Sequence, residues 1–217
     1  MKPAEQPTSS WNQLLHGGSD PISDPAKRSA AGRLAMVLFI ISLAMVFATV
    51  VLAYIVVRMQ LVQEGDWRPT GAPGLPKLLI LSTALLIGSS GTLGLASRTA
   101  VRSGSASRVG GWMLCTLCLV GGFLITQGFA WMILVQEDLG FRSSLYAWLF
   151  YIMTGLHALH VLGGLGPLCL VTRHAFAGRY SGDAFSRRGL VYCGMYWHFI
   201  DAAWVILYLT LLWGMRG

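Results

Sequence analysis

The sequence has few charged residues and very few acidic ones. Only 12% of its 217 residues are charged, and nine aspartates and glutamates stand against 16 lysines and arginines, whereas 54% of the residues are hydrophobic. A soluble domain of this length could not bury so much apolar surface. The scarcity of charge therefore excludes an ordinary soluble protein and predicts a membrane protein.

Cysteine is also scarce, and its positions exclude a disulfide framework. All four cysteines lie inside long apolar runs: Cys115, Cys118, Cys169 and Cys193. Cys115 and Cys118 have the C-x-x-C spacing that can bind zinc or carry redox chemistry in a soluble loop. A thiol in hydrocarbon, however, behaves as a small apolar side chain. We therefore expect neither a metal nor a disulfide at these positions.

The N-terminal segment lacks the apolar residues that a packed structure needs. Residues 1–27 are rich in Pro, Ser, Gly, Gln and Asp, and such a composition cannot offset its ordering entropy by burial. We expect residues 1–32 to form a flexible cytoplasmic arm and residues 33–217 to form the membrane domain. The first apolar run has no small-residue cleavage site and is too long for a signal peptide, so we expect it to be retained.

Five apolar runs are long enough to cross about 30 Å of hydrocarbon as helices. They cover residues 34–57, 78–96, 109–135, 145–171 and 190–213. The sequence therefore predicts an all-α, polytopic membrane protein with five transmembrane helices.

The basic residues are distributed unevenly between the two ends of these helices. Eleven of them lie on the N-terminal side of the membrane: Lys2, Lys27, Arg28, Arg33, Arg98, Arg102, Arg108, Arg173, Arg179, Arg187 and Arg188. Five lie on the other side: Arg58, Arg68, Lys77, Arg142 and Arg216. The positive-inside rule then predicts an N-in, C-out topology. Because the charges flank membrane segments and no recognition motif accompanies them, we expect no nucleic-acid partner.

Two pairs of ionisable residues lie inside the last two apolar runs. His157 and His160 form one pair, and His198 and Asp201 form the other, each with the i, i+3 spacing that places both members on one helix face. At 1.5 Å per residue, His160 and Asp201 both lie about 16 Å from the expected cytoplasmic ends. Polar groups at equal depth on antiparallel neighbours can satisfy each other. We therefore predict a structural polar clasp of these four residues, with His160 paired to Asp201.

Two functional alternatives remain open from the residues alone. His160 and His198 differ in depth by only about 4 Å, so they could ligate a haem from facing helices. All four residues could instead form a proton relay, as intramembrane titratable groups do in pumps. A transporter would more often show broken helices and internal repeats, and the sequence has neither.

The segments around these residues resemble a known family. Residues 150–161, with the sequence Phe-Tyr-Ile-Met-Thr-Gly-Leu-His-Ala-Leu-His-Val, and residues 195–204, with Met-Tyr-Trp-His-Phe-Ile-Asp-Ala-Ala-Trp, look like the last two helices of subunit III of haem-copper oxygen reductases. Trp67-Arg-Pro-Thr-Gly71 and Ser90-Gly91-Thr92 resemble the loop and helix that follow the first shared helix of that family. The resemblance extends from Arg33 onward, and five helices match its shorter bacterial form.

The resemblance implies an accessory subunit with no catalytic residue and no metal of its own. Haem and copper would reside in partner subunits, which reduce oxygen to water and pump protons in the bacterial cytoplasmic (inner) membrane. The chain would pack on and stabilise the catalytic subunit I, with subunit II as a further partner. It would also bind phospholipid, and we expect His160, Arg173 and Trp67 to contact it.

One departure from the family pattern bears on proton transfer. The family usually carries an acidic residue in its first shared helix, where this chain has Leu43, so Asp201 is the only acid predicted inside the bilayer. The absence of this acidic residue argues against a role of the chain in carrying protons. It does not argue against a structural role. Alternatives are subunit III of a quinol oxidase, the accessory protein of nitric oxide reductase and, outside the family, an independent transporter or a bis-histidine haem anchor.

Overall fold

The computed structural model describes residues 25–64, 67, 74–102, 105–180 and 187–215, and over these residues it contains five helices and no strand. The helices are α1 (Pro25–Glu64), α2 (Leu78–Arg102), α3 (Ala106–Gln136), α4 (Leu145–Phe176) and α5 (Arg188–Gly214). All five are long and apolar enough to cross a membrane. The predicted all-α, five-helix architecture is confirmed, while the N-in, C-out orientation stays a prediction.

All five helices extend beyond the apolar runs that predicted them. The largest difference is at the N-terminus, where α1 begins at Pro25 and so includes residues 25–32 of the segment expected to be a flexible arm. Proline suits a first helical position because its fixed φ is already helical and its missing N–H has no helical partner to lose. Residues 1–24 of that arm lie outside the described residues. Residues 1–39 and residues 40–217 form two separate units.

Local sequence signals define both ends of α4. The Ser144 hydroxyl accepts a hydrogen bond from the backbone N–H of Ala147 at 3.1 Å, which caps the first turn. At the other end Gly178 has φ +71°, and the N–H of Arg179 reaches back to the carbonyl of His174 at 3.1 Å. This is a Schellman ending, which favours glycine because the left-handed conformation is strained for side chains with a Cβ. His157 and His160 are therefore held in a helix with fixed ends.

Four of the helices form a closed ring, in which α2 packs against α3 and α5, and α4 packs against the same two neighbours. One close approach involves Gly164 of α4, where a Cβ atom would lie 2.7 Å from the Tyr196 ring and 3.0 Å from the Trp197 ring. Small residues let helix backbones come together in lipid, where no hydrophobic force drives them. The core of the ring is filled by large side chains, including Phe123, Trp197 and Trp204, which are fully buried.

Helix α1 is anchored by few side chains. Between residues 40 and 64 only Phe47, Tyr54 and Arg58 are buried. The Phe47 ring lies 5.0 Å from the His160 ring and 6.1 Å from the Phe199 ring, measured between centroids. One aromatic residue of α1 thus contacts both α4 and α5 at the level of the buried histidines.

Candidate functional site

Three tryptophan side chains connect neighbouring helices through hydroxyl groups. The indole N–H groups donate from Trp197 to Ser89 at 2.9 Å, from Trp204 to Thr83 at 3.0 Å and from Trp131 to Thr154 at 3.1 Å. Each hydroxyl also donates to a carbonyl three or four residues earlier in its own helix, so it has both a donor and an acceptor. These bonds join α5 to α2 and α3 to α4 inside the bilayer.

The pattern of ionisable residues in the sequence did not predict these tryptophan contacts. A usable signal was present: Trp197 and Trp204 are seven residues apart, so they lie on one face of α5. Ser89 and Thr83 lie on the neighbouring antiparallel helix at a similar separation. Tryptophan has an apolar body and a single N–H donor, and buried tryptophans usually find a hydrogen-bond acceptor.

His157 is enclosed by aromatic rings. Its side chain is fully buried, and its ring centroid lies 4.8 Å from that of Trp204 and 5.7 Å from that of Phe123. Neither ring nitrogen has a hydrogen-bond partner among the described residues. The amide of Gln127, which is also buried, likewise has none within the described ranges. His157 therefore packs as an aromatic side chain in the centre of the ring of helices.

His160 is bonded to its own helix. Its Nδ1 lies 2.7 Å from the carbonyl oxygen of Leu156, and its ring packs on Phe47 of α1. The backbone carbonyl of His160 accepts a hydrogen bond from the hydroxyl of Tyr196 at 2.8 Å. The imidazole thus lies on the α1 side of α4, and the backbone at the same residue joins α4 to α5.

His198 and Asp201 share one neighbour on α2, the hydroxyl of Ser90. Ser90 Oγ lies 2.5 Å from Nδ1 of His198 and is also close to Asp201. His198 is exposed, whereas Asp201 is 6% exposed. Within the described part of the chain, neither carboxylate oxygen of Asp201 has a partner of hydrogen-bond geometry. These three residues form a polar group between α2 and α5, which we call the Ser90 group.

The packing of α4 against α5 explains why His160 and Asp201 do not pair. Trp204 lies against His157, and Trp197 lies against Gly164, so seven residues along one helix match seven along the other in the opposite direction. His160 and Asp201 therefore lie at the same level, as the depth arithmetic requires. They nevertheless point to different neighbours, α1 for the imidazole and α2 for the carboxylate. The expected hydrogen bond between them is not formed in this structure.

Trp67 lies inside the protein, although we expected it to contact lipid. Its side chain is 3% exposed, and its indole N–H donates to the carbonyl of Gly214 at 2.8 Å. The rings of Tyr54 and Tyr146 pack edge-on against it at 5.2 and 5.3 Å. The indole therefore joins α1 to the start of α4 and the end of α5. Arg173, the other interfacial residue expected at a lipid, is exposed in the last turn of α4.

An open groove lies between α1 and α5. Its volume is about 480 Å³, and its walls are apolar side chains: Ala44, Phe47, Ala48, Val51, Leu52 and Ile55 of α1, and Phe199, Ala202, Ala203, Ile206 and Leu207 of α5. Phe47 lines one end of it and contacts Phe199 of α5. The walls have the apolar chemistry that an acyl chain would require.

The described residues do not assemble a metal site. In the ranges that the structure covers, no three His, Cys, Asp or Glu side chains come together as potential ligands. His157 is enclosed by aromatic rings, His160 lies on the α1 side of α4 and His198 is bonded to Ser90, while Cys115 and Cys118 are exposed on the outside of α3. The arrangement can bind apolar ligands and join helices.

Comparison with known proteins agrees with this architecture. Residues 26–215 match the family model described as cytochrome c oxidase subunit III. The chain is 30% identical to the cytochrome c oxidase subunit 3 of Corynebacterium diphtheriae over 201 residues, which cover 89% of this chain and 96% of that protein. It is 29% identical to the subunit 3 of a Synechocystis species (81% and 72% covered) and 30% identical to that of Lumbricus terrestris (94% and 78% covered). The chain therefore belongs to the cytochrome c oxidase subunit III family, as the resemblance predicted.

Proposed function

We propose that this member of the subunit III family is the non-redox accessory subunit of a respiratory haem-copper oxidase that accepts electrons from cytochrome c. It packs on the catalytic subunit I, with subunit II as a second partner, and stabilises the complex. The observation that carries the proposal is the length of the family match, which includes all five helices. The names of the relatives favour cytochrome c over quinol as the electron donor.

Purification of the tagged chain from membranes tests this assignment. We expect the catalytic subunit to co-migrate at equal stoichiometry on blue native electrophoresis and to contribute the haem spectrum of the complex. A strain that lacks this chain should keep oxidase activity initially and lose it faster during turnover. A chain that migrates alone in the presence of an assembled oxidase would contradict the assignment.

The chain itself is proposed to carry no haem, copper or zinc. Two observations support this: the imidazole of His157 is enclosed by aromatic rings, and the imidazoles of His160 and His198 face different helices, α1 and α2, so they do not converge on one ligand. The purified chain alone should therefore show no Soret band and no stoichiometric metal by elemental analysis. Either signal would favour the haem-anchor alternative.

Phospholipid binding is proposed for the groove between α1 and α5. Its apolar walls suit an acyl chain. A separate contact with a phosphate headgroup is proposed for Arg173, which is exposed in the last turn of α4. Replacing Ala202 in the wall by Phe should reduce the phospholipid retained in native mass spectrometry. Leu159→Phe on the outside of α4, where the original side chain is 64% exposed, provides the matched control. Equal lipid retention in both variants would remove the groove as the binding site.

The membrane orientation is proposed from the distribution of basic residues. With eleven of the sixteen on one side, the chain should insert N-in, C-out in a bacterial cytoplasmic membrane. A reporter fused after Gly217 should lie outside, and a reporter placed within residues 178–183 should lie in the cytoplasm. The reverse pattern would contradict the orientation.

A further inference from the structure

His198 is an exposed imidazole near the middle of a membrane helix. It lies ten residues from Arg188 and sixteen from Gly214, the two ends of α5, which correspond to about 15 and 24 Å at 1.5 Å per residue. Its Nδ1 is bonded to Ser90, and the described residues provide no hydrogen bond to its Nε2. Acyl chains have no hydrogen-bonding groups, and headgroups lie too far away to reach this depth. An imidazole on a lipid-covered surface would therefore leave one nitrogen unpaired at considerable cost.

Asp201 adds a second unpaired polar group beneath the same surface. It lies one turn after His198, is 94% buried, and has no hydrogen-bond partner for either carboxylate oxygen in the described part of the chain. The neighbouring Ser90 hydroxyl has only one proton to donate and is close to both residues. The Ser90 group therefore has more hydrogen-bonding capacity than its own members can use.

The surface of α2 beside His198 is shaped for close helix contact. Ser90 and Gly94 have the small-xxx-small spacing of membrane helix interfaces. A Cβ atom added at Gly91 or Gly94 would meet no atom within 4 Å, so the backbone here is open to the outside. Ile87, one turn earlier on the same face, is 54% exposed. A neighbouring helix could approach this surface closely enough to bond with the imidazole.

We propose that this surface, formed by Ile87, Ser90, Gly91, Gly94 and His198, is where a transmembrane helix of the catalytic subunit docks. The docked helix carries a hydrogen-bonding side chain at mid-membrane depth, opposite Nε2 of His198. This inference rests on the proposed function and specifies which surface of the chain contacts the catalytic subunit. The occupant is a protein helix, because only a polypeptide can place a polar group at this depth next to exposed small residues.

Site-specific photocross-linking in assembled membranes tests the docking surface. The photoreactive residue p-benzoylphenylalanine replaces Ile87 in one variant and Ile125, 62% exposed on α3, in the control. We expect an adduct between position 87 and a transmembrane segment of the catalytic subunit, and only lipid adducts at position 125. Adducts of position 87 with lipid alone, or with a second copy of this chain, would overturn the docking surface.

The tagged variants also separate this inference from the proposed function. If the catalytic subunit does not co-purify even with the unaltered chain, the accessory assignment itself fails. If it co-purifies but position 87 yields only lipid, the assignment stands and the docking surface is wrong.

Substitution of His198 measures the contribution of the imidazole. Helix-to-helix hydrogen bonds in membranes correspond to changes of about threefold to twentyfold in an equilibrium, so His198→Leu should reduce the retained catalytic subunit by a factor in that range. His198→Gln keeps a hydrogen-bonding group and should restore part of the retention. Unchanged retention in His198→Leu would contradict the predicted bond, whatever its effect on the stability of the chain alone.

Discussion

Helix α1 and the ring of α2–α5 are held in place in different ways. Between residues 40 and 64 of α1 three side chains are buried. Phe47 contacts His160 of α4 and Phe199 of α5, and Arg58 lies over the Trp213 ring of α5 at 3.8 Å. Helix α4, by contrast, buries residues along its whole length, from Tyr146 to Ala175. The ring also contains three tryptophan bonds between helices, two of them from α5 to α2 and the other from α3 to α4.

The difference shows what determines helix packing in a solvent that is itself apolar. Lipid tails solvate a leucine as well as a protein core does, so apolar content alone does not decide which helices meet. The ring has close backbone approaches and directed hydrogen bonds, which specify its arrangement. Helix α1 has mainly aromatic anchors, and the groove beside it leaves room for lipid. We therefore expect the ring to be the more stable part of the chain.

The largest expected effect comes from adding a side chain at the close contact between α4 and α5. Gly164→Val would force a side chain into the rings of Tyr196 and Trp197, whereas at the adjacent Gly163 a Cβ atom would meet nothing within 4 Å. Overpacking typically costs about 1–3 kcal/mol, so Gly164→Val should lower the free energy of unfolding by that amount relative to Gly163→Val. Thermal unfolding in nanodiscs, followed by tryptophan fluorescence, measures the difference. Equal stability would mean that α4 and α5 are not in close contact.

A smaller effect is expected from removing the anchor of α1. Phe47→Ala should lower stability by about 1–2 kcal/mol, which is less than the ~3–5 kcal/mol of soluble cores because lipid can fill the space. Leu52→Ala on the same helix, where the leucine is 61% exposed, should have little effect. The same unfolding measurement compares the two variants. If both behave alike, Phe47 is not what holds α1 to its neighbours.

The hydrogen bonds of the tryptophans should be detectable as a coupling energy between the indole and its hydroxyl partner in a double-mutant cycle. Trp204→Phe and Thr83→Val each remove one side of the bond from α5 to α2. Combining them in a double-mutant cycle should give a coupling of about 0.6 kcal/mol and at most about 1.7 kcal/mol. Pairing Trp148→Phe, at an indole that is 42% exposed, with Thr83→Val is the control and should be additive. Additivity in both cycles would mean that the indole bond contributes nothing.

The smallest expected effect concerns the pair that the sequence analysis favoured. His160 and Asp201 are level but face different helices, so the cycle of His160→Leu and Asp201→Asn should be additive within about 0.5 kcal/mol. A cycle of His198→Leu and Ser90→Ala, across a bond that the structure contains, should give the larger coupling. A coupling above about 1 kcal/mol between His160 and Asp201 would restore the original pairing.

The candidate site was only partly predictable from sequence, and the reason is geometric. Depth follows from counting residues, because each adds 1.5 Å along the helix axis, and this placed His160 level with Asp201. The helical period also tells which side chains of one helix share a face. It does not tell which neighbouring helix that face meets. Asp201 therefore met Ser90 rather than His160, and Trp67 met the end of α5 rather than lipid.

The sequence by itself determined the five helices of the described residues that are long and apolar enough to cross a membrane, approximately where they begin and end, and the family to which the chain belongs. Long apolar runs and the motifs around His157 and His198 are local properties of the sequence. They can therefore be recognised without knowing which helices pack together. Only the tertiary structure decided which residues join the helices. Lipid-facing and core-facing positions are both apolar in a membrane, so the hydrophobic pattern does not distinguish them. Directed bonds such as Trp204 to Thr83, and close approaches such as Gly164 to Tyr196, select one packing among the many that the pattern allows.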